Sequence, residues 1–152
     1  MEILNIFVVK GEVIFRLSGS TMTSNKLEII LSRQLADSLS IPVFIVDHVG
    51  NLLFYNEPAE EILGLRFEET GSMPVSEWST LFKPQDKAGN LLPMSELPLV
   101  QTITNQEPAH GSFWINSLKG PLHKISVTSF PIIGRPNHFL GAIAIFWISI
   151  DK

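Results

Sequence analysis

The sequence predicts an α+β fold organised on a five-stranded antiparallel sheet. Two short apolar runs, 41–46 and 52–55, flank a loop rich in Gly, Asp and Asn. Three longer runs follow later, at 111–118, 122–131 and 138–150, joined by connections so short that neighbouring strands must be antiparallel. Helical patterns lie ahead of the first pair and between the two groups of strands.

Composition narrows the function classes. The chain has 152 residues, the size of one domain, and 45% are hydrophobic, so a packed core is expected. A formal charge of −4 with neither sign clustered gives no footprint for nucleic acid or anionic lipid. The absence of cysteine excludes disulfides, thiolate catalysis and Cys-ligated metal. The apolar stretch 3–9 stops at Lys10, far short of the roughly 20 residues of a membrane span. Glu2 argues against the basic start of a signal peptide. A soluble, cytoplasmic protein is the expectation.

Residues 1–23 form an N-terminal extension with two readings. Runs 6–9 and 12–17 around Lys10-Gly11 suit a small hairpin, or the segment precedes a natural start at Met22. Residues 24–40 read as an amphipathic helix, because Leu27, Ile30, Leu31, Leu35 and Leu39 recur at spacings of three and four. In 41–64, strand, turn and strand lead to Asn56, placed to cap a short helix whose first turn holds Glu57 and Pro58 and which Gly64 ends. Residues 66–76 are polar, 77–82 suit one or two helical turns, and 84–90 a loop. A helix is expected from Pro93 to about Asn105, with Ser95 or its predecessor as cap.

Two motifs carry a family resemblance. The positions Asp47, Gly50, Asn56, Ala59, Leu63 and Gly64 resemble the opening of a PAS domain, the bacterial sensory module. The run PxDxxGNxLPxxExPL from Pro84 to Leu99 is similar to a segment of many PAS domains that accompany signalling outputs. The resemblance spans most of the chain, with 41–150 as the PAS domain proper. It implies the PAS fold, with small helices on one face of the sheet. The leading helix 24–40 would cover the other face, either against its own sheet or against a second copy. It also implies a sensory or protein-interaction role in bacterial signal transduction, through a signalling partner protein. Asp151 falls where many members carry Asp-Ile-Thr, but Lys152 leaves that signature incomplete.

No catalytic constellation is visible. The sequence holds no GxSxG elbow, no phosphate-binding loop and no dinucleotide fingerprint. His48, His110, His123 and His138 lack the spacing that sets two imidazoles on one helix face, so no metal site is expected. Without Cys, the covalent flavin and coumaroyl chemistries of light-sensing PAS domains are impossible. The helix that carries the axial His of haem-binding members holds none here. Positions resembling the flavin-edge contacts are Asn116, Ile125 and Ile143, and the two isoleucines would leave ring polar groups unpaired. A non-covalent flavin or haem sensor is therefore the alternative rather than the first reading, and no cofactor is expected.

On that alignment the two-residue repeat puts Trp114, Asn116, Ile125, Val127, Ile143 and Ile145 on the inner face. The interior is then either a filled apolar core or the site of a small, mainly apolar ligand oriented by Asn116. The opposite face would carry Phe113, Ile115 and Phe146, and with Leu27, Ile30, Leu31 and Leu35 of the leading helix it would form a homodimer interface.

Overall fold

The computed structural model describes residues 4–9, 12–17, 20–134 and 137–150, with secondary structure alone for 4–9, 12–17, 20–28 and 30. The last two residues, and with them the incomplete signature at Asp151, lie outside the described residues. Three N-terminal strands, β1 (Leu4–Val9), β2 (Glu12–Leu17) and β3 (Ser20–Thr23), pair as an antiparallel meander. Helix α1 (Ser24–Ser38) follows. The second sheet consists of β4 (Val43–Asp47), β5 (Leu52–Tyr55), β6 (Ala109–Asn116), β7 (Leu122–Gly134) and β8 (His138–Ile148), in the order β5-β4-β8-β7-β6. All its pairings are antiparallel. The expected five-stranded α+β architecture is therefore what the chain forms, and the central pair joins its first half to its last strand, with Phe44 opposite Ala144.

Between β5 and β6 lie α2 (Glu57–Leu63), α3 (Phe67–Thr70), α4 (Val75–Leu81), a 3-10 turn (Met94–Glu96) and α5 (Pro98–Asn105). Asn56 caps α2 by accepting from the Ala59 amide, and Gly64 closes it in the left-handed conformation at φ 76°. That glycine is also required sterically. A Cβ there would lie 2.5 Å from Ser117 Oγ and 2.7 Å from the Lys119 nitrogen, where the helix end meets the β6–β7 turn.

Two local expectations are corrected. The helix expected from Pro93 is broken at Leu97, whose backbone is extended (φ −73°, ψ 129°), and α5 begins at Pro98 with no side-chain cap from Ser95. The residue before a proline is pushed out of the helical region, which accounts for the break. The polar stretch 66–76 contains the short helix α3, whose Phe67 packs edge-on against Phe54 and Tyr55.

Two turns share the pattern Asp-x-x-Gly-Asn. In 47–51, Asp47 Oδ1 accepts from the Val49 and Asn51 amides at 3.0 and 2.9 Å, and Asn51 Nδ2 donates to Asp47 Oδ2 at 3.1 Å. In 86–90, Asp86 repeats the set with Ala88 and Asn90 at 2.9 Å each and the Asn90 amide at 3.2 Å. Each glycine has positive φ, 96° at Gly50 and 88° at Gly89. The first turn joins β4 to β5. The second brings Gln85 beside Trp114, where the two residues exchange backbone hydrogen bonds of 2.9 Å and cover part of the free edge of β6.

The five-stranded sheet is buried on both faces. Phe44, Val46, Ile115, Ile125, Val127, Ala144 and Phe146 pack under α2 to α5 in the main core. On the other side Val43 and Ile45 meet Ala36 and Leu39 from α1 and the residues just beyond it, together with Phe54, Ile132, Ile143 and Ile145. Here Ala36 is 2% exposed whereas Leu31 and Leu35 are 52% and 61% exposed, so α1 presents a narrow small-residue face to the sheet and its leucine stripe to the outside.

Candidate functional site

Within the main core a cavity of about 80 Å³ lies between the inner face of the sheet and the helices. Strands β6, β7 and β8 contribute Phe113, Ile115, Ile125, Val127, Ala144 and Phe146, and β4 contributes Phe44. The helical side contributes Trp78 and Ser79 from α4 and Leu97 to Leu99 at the start of α5. Trp78 is fixed by its indole N–H, which donates to the Gly50 carbonyl at 2.8 Å, and by edge contact with Phe44 at 5.4 Å. Helix α5 is tied to β7 by a buried hydroxyl pair, Thr102 and Ser129, 2.6 Å apart. Ser79 is the one hydroxyl-bearing residue of the lining, and its buried Oγ has no hydrogen-bond partner among the described residues.

The sequence-predicted ligand set is divided by the structure. Ile125 and Val127 stand in the cavity wall as expected. Trp114, Asn116, Ile143 and Ile145 belong to the opposite face: Ile143 and Ile145 pack in the α1-side core, and Trp114 lies in a surface groove with Asp86, Lys87 and Lys124. Conversely Phe113, Ile115 and Phe146, expected at a dimer interface, line the cavity. Leu31 and Leu35 are exposed, whereas the side chains of Leu27 and Ile30 lie outside the described residues.

The inversion has a physical cause. Both parities of β6 and β8 are apolar, so register rather than alternation sets the facing, and Gly141, a turn-type residue, sits inside β8 opposite Asp47. A Cβ there would collide with the Val46 carbonyl oxygen, so the glycine serves close strand approach. A one-residue slip moves every side chain to the other face. Among the lining residues missed were Trp78 and Ser79 on α4. Their apolar-polar pattern is that of an ordinary helical turn, and nothing local in the sequence points them at the cavity.

A second constellation links α1 to the sheet. Asn56 is 1% exposed and makes four hydrogen bonds. Its Oδ1 accepts from the Val43 amide at 2.9 Å and from that of Ala59 at 3.2 Å, and its Nδ2 donates to the carbonyls of Ala36 at 2.9 Å and Ile41 at 2.8 Å. Arg33 stacks its guanidinium over the Phe54 ring at 4.6 Å. Beside them the Tyr55 hydroxyl donates to the Leu65 carbonyl at 2.8 Å, and burial pushes its pKa above the usual tyrosine value.

A family model described as PAS domain matches residues 31–95. The sequence matches no curated protein. Among solved structures, the chain is similar to the PAS domain of Bordetella pertussis BvgS, at 14% identity and a TM-score of 0.55, covering 82% of this chain and 88% of that one. It is also similar to a PAS domain from Colwellia psychrerythraea, at 17% identity and a TM-score of 0.58, covering 80% and 96%. The chain contains a PAS domain. The Rhodobacter sphaeroides LOV protein, at 11% identity and a TM-score of 0.63 over 80% of this chain and 67% of that one, shares the same fold.

PAS domains are generally sensory modules, and the cavity of this one can be tested against the groups that the fold family implies. Its lining contains no His to ligate haem iron and only one hydroxyl to meet the polar edge of a flavin. Its volume is far below the roughly 300–1,000 Å³ of pockets that take ligands of that size. Flavin and haem do not fit. Among the described residues no group of three or more His, Asp or Glu is placed to hold a metal ion, and no helix is long and apolar enough to cross a membrane.

Proposed function

We propose that this PAS domain is a sensory relay of a bacterial, cytoplasmic signalling system, with no catalysis of its own. It takes a small, mainly apolar molecule into the inner cavity and transmits the occupancy to a homodimer interface and from there to a signalling partner. The observation that carries this reading is the double use of β7 and β8. Ile125, Val127, Ala144 and Phe146 line the cavity, while alternating residues Ile132, Ile143 and Ile145 hold the α1 side. A change in the cavity wall therefore has one sheet thickness to cross. Apolar residues remain exposed on the α1 side: Leu31 and Leu35 on the helix, Phe130 on β7 and Trp147 on β8. That combination suits a self-complementary surface better than free solvent. The lining, almost wholly apolar, supports binding rather than chemistry.

The test is to melt the purified protein before and after solvent extraction and to analyse the extract. A bound molecule raises stability, so extraction lowers the melting temperature and yields a small apolar compound. An unchanged melting temperature and an empty extract would leave only a filled core.

A further inference from the structure

We infer that the groove bounded by α1, β5, α2 and α3 is a docking site for a basic, arginine-bearing segment of a partner protein, whose guanidinium takes the place of Arg33 on the Phe54 ring. The site rests on the proposed reading only for its expectation of a signalling partner. It shares no lining residue with the inner cavity, so the two stand or fall separately. Three features of the groove define the guest. Its floor is apolar and aromatic: Phe54, Leu65 and Phe67 line it, and Phe67 stands edge-on to Phe54 with ring centroids 5.5 Å apart. Its rim is acidic, with five carboxylates lining the groove against three cations, of which Arg66 is paired with Glu68 at 3.0 Å. Glu60 Oε1 accepts from the Phe67 amide at 3.2 Å, whereas Asp37, Glu57 and Glu61 are exposed and make no ion pair or hydrogen bond among the described residues. An acidic rim alone would take any cation. The third feature chooses among them. Arg33 of the chain itself already lies in the groove, with its guanidinium 4.6 Å from the centroid of Phe54 and 5.9 Å from that of Phe67. It forms no ion pair with the rim among the described residues, so the aromatic floor is what receives it. A guanidinium is planar and weakly hydrated, stacks on rings and presents a fork of donors to carboxylates, which an ammonium does not. An arginine entering from outside could meet floor and rim together, and a groove of about 800 Å³ has room for the residues beside it. An acidic partner would face unpaired carboxylates of its own sign.

The test follows the full chain by NMR during titration with a short alanine-based peptide carrying arginines, and with its lysine and glutamate counterparts. The arginine peptide is expected to shift the signals of Phe54, Glu57, Glu61 and Phe67 and to weaken with added salt. It should bind about threefold tighter than the lysine peptide, the fold-change of one exposed cation–π contact. Glu57→Gln combined with Glu61→Gln is expected to weaken it about fivefold, the effect of two surface ion pairs. Arg33→Ala is expected to tighten the arginine peptide more than the lysine peptide, because it opens the ring face; loss of a like charge alone would tighten both equally. Equal affinities for the two basic peptides, with the same ratio in Arg33→Ala, would reduce the groove to diffuse attraction and overturn the inference. Shifts confined to other surfaces, or comparable binding of the glutamate peptide, would do the same. If no peptide binds, the partner assignment falls; a lowered sedimenting mass of the double Gln variant would then give the groove to a second copy of the chain. All three substituted residues are exposed, so folded variants are expected, and an unfolded Arg33→Ala would show its guanidinium to be structural and overturn the exchange. None of these readouts depends on whether the inner cavity is occupied, which the extraction experiment decides separately.

Discussion

At the scale of single residues, Asn56 ties three elements together through one buried side chain. Its four bonds fix the start of β4, the first turn of α2 and the end of α1 at one point. Asn56→Ala leaves the Val43 amide and the Ile41 carbonyl without that partner, while the Ala36 carbonyl keeps the Leu39 amide. It is expected to destabilise by roughly 3–5 kcal/mol, read as a lowered urea midpoint; a loss below about 0.5 kcal/mol would mean these bonds are replaced by water. Ser79→Ala has the opposite sign. It removes an unpaired hydroxyl and is expected to raise stability by about 1 kcal/mol in the same assay. Asp86 supplies a pH dependence. The backbone amide of Asn90, then its side-chain amide, hold the Asp86 carboxyl below its usual 3.8. A folded pKa lowered in this way adds stability that is complete above the unfolded value and lost as pH falls through the folded one. Asp86→Asn should therefore flatten the acid limb of stability against pH below about 4, and an unaltered limb would contradict the turn chemistry. The capping role of Asn56 was legible in sequence because its partner is three residues away. Its bonds to Ala36 and Ile41 were not, since nothing local announces a partner twenty residues distant.

Elements were read with uneven success, and the failures share a reason. The hairpin 43–55, the cap of α2 and its glycine stop were legible because turn and cap chemistry is local. The facing of β6 and β8 was not. In Phe113-Trp114-Ile115 and in Ala142-Ile143-Ala144-Ile145-Phe146 both parities are apolar, so alternation carries no information on a sheet buried from both sides. What settles the parity is register, with Phe44 opposite Ala144 and Phe113 opposite Ile125. Gly141 makes this testable. Gly141→Ala drives a methyl into the Val46 carbonyl at the β4–β8 junction, so a loss of several kcal/mol or failure to fold is expected; a native-like melting temperature would show that the strands are farther apart. Helix α1 carries two apolar sides, one of Ala36 against the sheet and one of Leu31 and Leu35 away from it. Charging the outer side with L31K and L35K together is expected to leave monomer stability within about 0.5 kcal/mol per site while lowering the sedimenting mass at tens of micromolar. An unaltered mass would remove α1 from the interface.

For the whole molecule, the order β5-β4-β8-β7-β6 makes the sheet a single wall between two compartments. Helices α2, α4 and α5 border the cavity on one side, and α1 with the exposed Phe130 and Trp147 occupies the other. Strand number, antiparallel pairing and the helical insertion between the first two strands and the last three could be read from run lengths and short connections. The cavity could not, because a void is a property of packing between distant residues and leaves no pattern along the chain. Coupling between the two sides must be reciprocal: a molecule that alters dimerisation on binding is itself bound differently by monomer and dimer. The most direct test is the dimer dissociation constant, measured by sedimentation equilibrium with the cavity stripped and then saturated with the extracted compound. A shift of at least about fivefold, the lower end of ordinary allosteric coupling, is predicted. The same constant under both conditions, or a monomer throughout, would contradict a sheet that reports its interior to its outer face.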